Sequence, residues 1–105
     1  MSFTGLENHT ISLEDAASLN KGFRDNYPDQ PKGIYFSQIT LNAVLGQENC
    51  VGIRFYFAAT DEGEMRLTFV GVDASENDIL DTVGDGGCLC PPACGTSNCL
   101  NSDTK

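Results

Sequence analysis

The sequence predicts an α+β protein: two helices packed on one face of a small antiparallel sheet built around a β-hairpin, followed by an irregular tail rich in cysteine, glycine and proline. Three observations carry this expectation. Apolar residues recur every three or four positions from Leu13 to Tyr27. Two stretches, Val51 to Phe57 and Met65 to Val72, alternate with a period of two across a short acidic break. From about Asn77 onward no periodicity remains, and four of the five cysteines fall between Cys88 and Cys99. A chain of 105 residues supports one small core and not two. The expected division is an α+β domain over residues 1–80 and a cysteine-rich tail over 81–105.

Ser12-Leu-Glu-Asp15 reads as a helix start, because a serine hydroxyl can accept from the backbone N–H three residues on and acids suit the positive end of the helix dipole. Leu13, Ala16, Leu19, Phe23 and Tyr27 then lie on one stripe, giving a helix over about Leu13 to Asn26. Gly22 inside it costs roughly 1 kcal/mol relative to alanine, which implies either a close approach there or an early end to the helix. Tyr27-Pro-Asp-Gln-Pro ends it, since a residue preceding proline avoids the α region. Ile34 to Phe36 is short and β-prone, and Ser37 caps a second helix running to about Gly46.

Val51, Ile53, Phe55 and Phe57 share one face of the next segment, and Met65, Leu67 and Phe69 share one face of its neighbour. A three-residue loop, Asp61-Glu62-Gly63, with Gly63 in the left-handed conformation, would set Phe55 opposite Phe69 and Phe57 opposite Leu67. A two-residue loop would scatter these apolar residues over both faces, so the three-residue loop is expected. Two strands alone are marginal in water. A third is expected from Ile34 to Phe36, from the tail, or from another copy of the chain.

Fifteen acidic residues against six basic ones give a net charge of −9. Such a chain repels a phosphate backbone, so no nucleic acid is expected as partner. No apolar run reaches the eighteen or so residues of a membrane span, so no membrane association is expected either. The opening residues lack the basic and apolar regions of a secretory signal, which predicts a cytoplasmic protein, with export by a route lacking a cleavable signal as the alternative. Between Asp61 and Asp85 eight acids stand against Arg66 alone, a pattern that serves solubility, with a docking face for a basic partner or a divalent-cation site as the alternatives. Asp73-x-Ser75-x-Asn77 imitates the first ligands of a calcium loop, but Asp78 stands where glycine is needed and Gly84 where glutamate is needed.

The candidate site is the set Cys88, Cys90, Cys94 and Cys99. Four thiolates suffice for a tetrahedral zinc or an iron–sulfur cluster. The same four allow three disulfide pairings, although Cys88 and Cys90 are too close in sequence to bond to each other without strain. A disordered tail with inert thiols is the remaining alternative. Cys50, at the start of a strand, reads as a small buried thiol. As a nucleophile it would need His9, the only histidine. No phosphate loop, nucleophile elbow or metalloprotease signature is present, so no enzyme is expected.

Ile11-Ser-Leu-Glu-Asp15, Cys50-Val-Gly-Ile-Arg54, Val70-Gly-Val-Asp73 and Cys90-Pro-Pro-Ala-Cys94 together resemble a family of small, functionally uncharacterised bacterial proteins, over about residues 11–94. The resemblance implies that Cys50 and the Cys-Pro-Pro-Ala-Cys segment belong together with the domain; Cys88 and Cys99 depart from its pattern. The function expected overall is a non-catalytic interaction or self-assembly module. It would meet a protein partner or form a homo-oligomer through the hairpin edge, and zinc or disulfides would staple its cysteine cluster. The alternative is a metal, iron–sulfur or thiol redox protein in which that cluster is the working part.

Overall fold

A computed structural model of the chain describes residues 2–103. In chain order the elements are α1 (Leu13–Asn26), β1 (Gly33–Tyr35), α2 (Gln38–Leu45), β2 (Gly52–Ala59), β3 (Met65–Val72), β4 (Asp78–Gly84) and β5 (Cys88–Cys90). This is an α+β arrangement. The chain forms two compact units, each assembled from two separate stretches: residues up to Asn8 with Phe36–Gly87, and His9–Tyr35 with the chain from Cys88 onward. The boundary expected near residue 80 falls inside β4.

The first unit holds an antiparallel sheet in the order β2-β3-β4. Its first hairpin has the register that the three-residue loop requires, with Phe55 opposite Phe69 and Phe57 opposite Leu67. Gly63 takes φ +82° at the last loop position, a conformation that costs glycine nothing. The second hairpin turn has the same plan without glycine. Glu76 adopts φ 70° there, and the Asp73 carboxylate holds the turn by accepting from the backbone N–H of Ser75 (2.9 Å) and Asn77 (3.0 Å). The acid that imitated a calcium ligand is thus committed to its own backbone.

β4 lies where the sequence led us to expect irregular chain. Val70 faces Val83, yet the adjacent Gly71 faces Ile79, so Leu80, Asp81 and Thr82 bulge out of the ladder. The bulge breaks the alternation by which a strand is recognised.

β3 is the central strand and is buried on both faces. Val44, Phe69, Val70 and Val72 form the buried hydrophobic core. On one face the Phe69 ring packs edge-on against Phe36, centroids 4.7 Å apart, and against Phe55 at 5.2 Å. Its ring occupies the place of a side chain at Gly84, where a β-carbon would sit 2.2 Å from the ring. Helix α2, capped by the Ser37 hydroxyl accepting from Thr40 N–H at 3.2 Å, lies over Gly71 on the same face. A β-carbon at 71 would come within 2.7 Å of Cys50 Sγ and 3.3 Å of the Val44 carbonyl oxygen. On the opposite face Arg54 and Tyr56 of β2 reach across β3 to the Asp78 carboxylate on β4, covering Val70 and Val72.

In the second unit α1 runs the expected length, with Ser12 Oγ accepting from Asp15 N–H at 3.0 Å. Gly22 neither ends this helix nor meets a close neighbour, since nothing lies within 4 Å of where its β-carbon would be. Of the two helices expected on one sheet, α2 packs against β2-β3-β4 and α1 belongs to this other unit. β1 pairs antiparallel with β5, so Ile34 finds its strand partner at Leu89 in the tail and does not extend the hairpin. The tail is tied to α1 by Arg24, which donates to the Leu100 carbonyl at 2.8 Å and to Asp103 at 3.1 Å.

Candidate functional site

Four cysteines were the expected centre, and the structure does not gather them into one group. The β1-β5 ladder fixes Cys88 opposite Tyr35 and Cys90 opposite Gly33, and Lys32 N–H closes the end of that ladder on the Cys90 carbonyl at 2.8 Å. Cys90 and Cys94 form a disulfide, with Cα atoms 4.7 Å apart, inside the span such a bond needs. Pro91 and Pro92 turn the chain between them, and Ala93 N–H donates back to the Leu89 carbonyl at 2.7 Å. Cys88 is an exposed free thiol and Cys99 a half-buried one. Among the described residues no group of three or more Cys, His, Asp or Glu is gathered as a metal would require. The physical reason is local: a strand holds Cys88 and Cys90 at fixed spacing, and the turn returns Cys94 to Cys90 alone.

Cys99 lines a groove of about 520 Å³ beside α1, together with Ser18, Lys21, Arg24 and Asp103. Both cations there are engaged, Lys21 with Asp25 at 2.8 Å and Arg24 with the tail. Asp25 holds the Lys21 ammonium above its ordinary pKa, first by hydrogen bonding and then by charge. In the first unit the Cys50 thiol donates to the Gly52 carbonyl at 3.2 Å and is half-buried, while His9 falls in the other unit.

The other place that can do chemistry of recognition is the rim of the sheet, where β2 and β4 are both edge strands. They differ in kind. β4 carries Asp78 and Asp81, its middle is bulged, and Thr82 N–H is taken by Gln47 Oε1 at 3.1 Å. Bulges and charges are the usual protection of an edge. β2 has neither. It runs eight residues without a bulge, a proline, a lysine or an acid, and Arg54 is its only charge.

The direction of its free backbone groups follows from the hairpin. Thr60 N–H donates to the Glu64 carbonyl at 2.9 Å, so with alternation Ala58, Tyr56 and Arg54 turn their N–H and C=O toward β3. Ile53, Phe55, Phe57 and Ala59 turn theirs outward. Among the described residues no strand meets them. Phe57 is 93% exposed and Phe55 45%, and beside them a recess of about 390 Å³ at the hairpin tip is lined by Phe57, Ala59, Gly63 and Met65.

Sequence reasoning led us to expect a contact at the hairpin edge but had no means of telling the two edges apart, because β4 was not visible. No helix among the described residues is long and apolar enough to cross a membrane. No family model matches the chain, and neither a curated protein nor a solved structure is found to be similar to it, so its role is read from these residues alone.

Proposed function

We propose that this chain is a non-catalytic interaction and self-assembly module that works by strand addition at β2. The observation that carries the reading is the unprotected edge: outward N–H and C=O groups on Ile53, Phe55, Phe57 and Ala59, flanked by an exposed phenylalanine. An added strand satisfies those groups with hydrogen bonds and covers the aromatic face, which supplies both register and affinity. The Cys90–Cys94 disulfide acts in this reading as a staple of the second unit and not as a reactive centre. A non-catalytic role is supported by the state of the candidate nucleophile, since the Cys50 thiol is already directed at a carbonyl.

A photo-activatable phenylalanine analogue placed at Phe57 in the full chain, expressed in its native host, tests the reading. Irradiation should yield a discrete cross-linked species from position 57 and none from Leu80 on the bulged edge. Absence of any adduct at 57, or equal yield at 80, would overturn strand addition at β2.

A further inference from the structure

Resting on that reading, we infer that the strand added to β2 is β2 of a second copy, antiparallel about a two-fold axis through Tyr56, so that two three-stranded sheets join into one. Three features of the strand fix the register. First, only Ile53, Phe55, Phe57 and Ala59 direct backbone groups outward, so an antiparallel ladder must set these residues opposite one another. A register shifted by one residue would set each of them against an inward-facing residue and form no ladder.

Second, of the registers that remain, the axis through Tyr56 uses all four. Ile53 then faces the second copy's Ala59, and Phe55 faces the second copy's Phe57. An axis through Phe55 would set Ala59 against Val51, whose N–H is already given to the Val72 carbonyl at 2.8 Å. An axis through Phe57 would set Ile53 against Asp61 in the turn.

Third, the faces agree. Directly opposed residues of an antiparallel pair share a face, so Phe55 and Phe57 of each copy meet on the side that already carries Phe36 and Phe69. Phe57, 93% exposed, thereby gains an aromatic neighbour.

Charge along the strand permits this occupant. The chain carries −9 overall, yet no acid lies between Asn49 and Thr60. The net charge a second copy brings repels it at long range, so two copies must meet where neither carries an acid. β2 is aromatic and free of acid, and the same strand in a second copy is its match. Its Arg54 faces the second copy's Ala58, so no like charges are opposed, and Arg54 is already paired with Asp78 of its own chain.

The test is sedimentation of the full chain over a wide range of concentration, with and without dithiothreitol, joined to site-directed cross-linking. We expect a dimer under both conditions, and a monomer with unchanged circular dichroism for Phe57→Glu. Tyr56→Cys should become a disulfide-linked dimer through position 56, because opposed residues of a non-hydrogen-bonded pair stand about 4.5 Å apart at Cα, within disulfide reach. Ala58→Cys, which faces Arg54 in this register, should not link to itself. A chain that stays monomeric throughout overturns the second copy, and an adduct of another mass from photo-labelled position 57 would then leave strand addition standing. A dimer that dissolves in dithiothreitol is joined by free thiols, and one indifferent to Phe57→Glu lies elsewhere; either result overturns the inference. Linkage at 58 in place of 56 overturns the register.

Discussion

The two units of this chain are ordered by different means. The first buries Val44, Phe69, Val70 and Val72, and its sheet is packed on both faces of β3. The second has no buried residue among those described, and Leu13 and Leu19 of its helix are largely exposed. Polar links take the place of a core. Arg24 binds the tail carbonyl of Leu100 and the carboxylate of Asp103, and Lys32 Nζ donates to the Asn101 carbonyl. Asn98 accepts from Leu100 N–H at 2.8 Å through its side chain and from Ser102 N–H at 3.0 Å through its carbonyl. The Cys90–Cys94 bond and a three-residue ladder complete the set. Burial stabilises without regard to direction, whereas each of these links depends on one or two atoms. The second unit should therefore open first, with amide exchange faster around Ser102 than around Phe69.

The largest expected effect probes the core of the first unit. Gly84→Ala drives a methyl group into the Phe69 ring and should cost roughly 1–3 kcal/mol, read as a lowered urea midpoint. A midpoint equal to the parent's would mean that the ring does not rest on Gly84. The next removes a single link from the second unit. Arg24→Ala deletes both ties to the tail and should cost about 1–2 kcal/mol there, with amide protection lost from Leu100 to Asp103 and retained in β3. Equal loss in both units would erase the contrast.

A smaller change sharpens it in the other direction. Gly22→Ala adds helix propensity where nothing stands in the way, and should stabilise α1 by about 0.5–1 kcal/mol, seen as slower amide exchange in that helix. The smallest effect concerns the amino-terminal stretch of the first unit, which is polar in the manner of the second. The Glu7 carboxylate accepts from Thr4 N–H at 2.9 Å and Gly5 N–H at 3.0 Å, and the Thr4 backbone bond leads in holding its pKa below the ordinary carboxylate value. A lowered folded-state value contributes stability above the ordinary range and loses it as pH falls through the lowered midpoint. A carbon-detected titration should place Glu7 below the ordinary glutamate midpoint, and a midpoint at the ordinary value would show that these bonds do not persist.

Both helices and the first hairpin were legible because their signals are local. Ser12 and Ser37 mark both helix starts, and the Thr60 to Glu64 spacing with Gly63 left one register that kept Phe55, Phe57, Leu67 and Phe69 together. β4 was hidden because Leu80, Asp81 and Thr82 interrupt its period. The Leu13 to Tyr27 stripe established a helix but not its neighbours, since periodicity describes a face and not what lies against it. The cysteines were legible as a cluster only. Choosing Cys90–Cys94 among the pairings requires knowing that β5 is held by β1, a contact between residues far apart in sequence.

The ring of Phe69 resting on Gly84 makes those two positions a single compositional unit. A side chain at 84 can be accommodated only by a smaller one at 69, so Phe69→Leu with Gly84→Ala should be less damaging than the two separate losses combined. Each change alone leaves a void or a clash, and together they exchange volume across the ladder. Any natural sequence built on this sheet should then show the two positions drifting in opposite directions in size, a covariation that would identify its relatives where overall identity has faded.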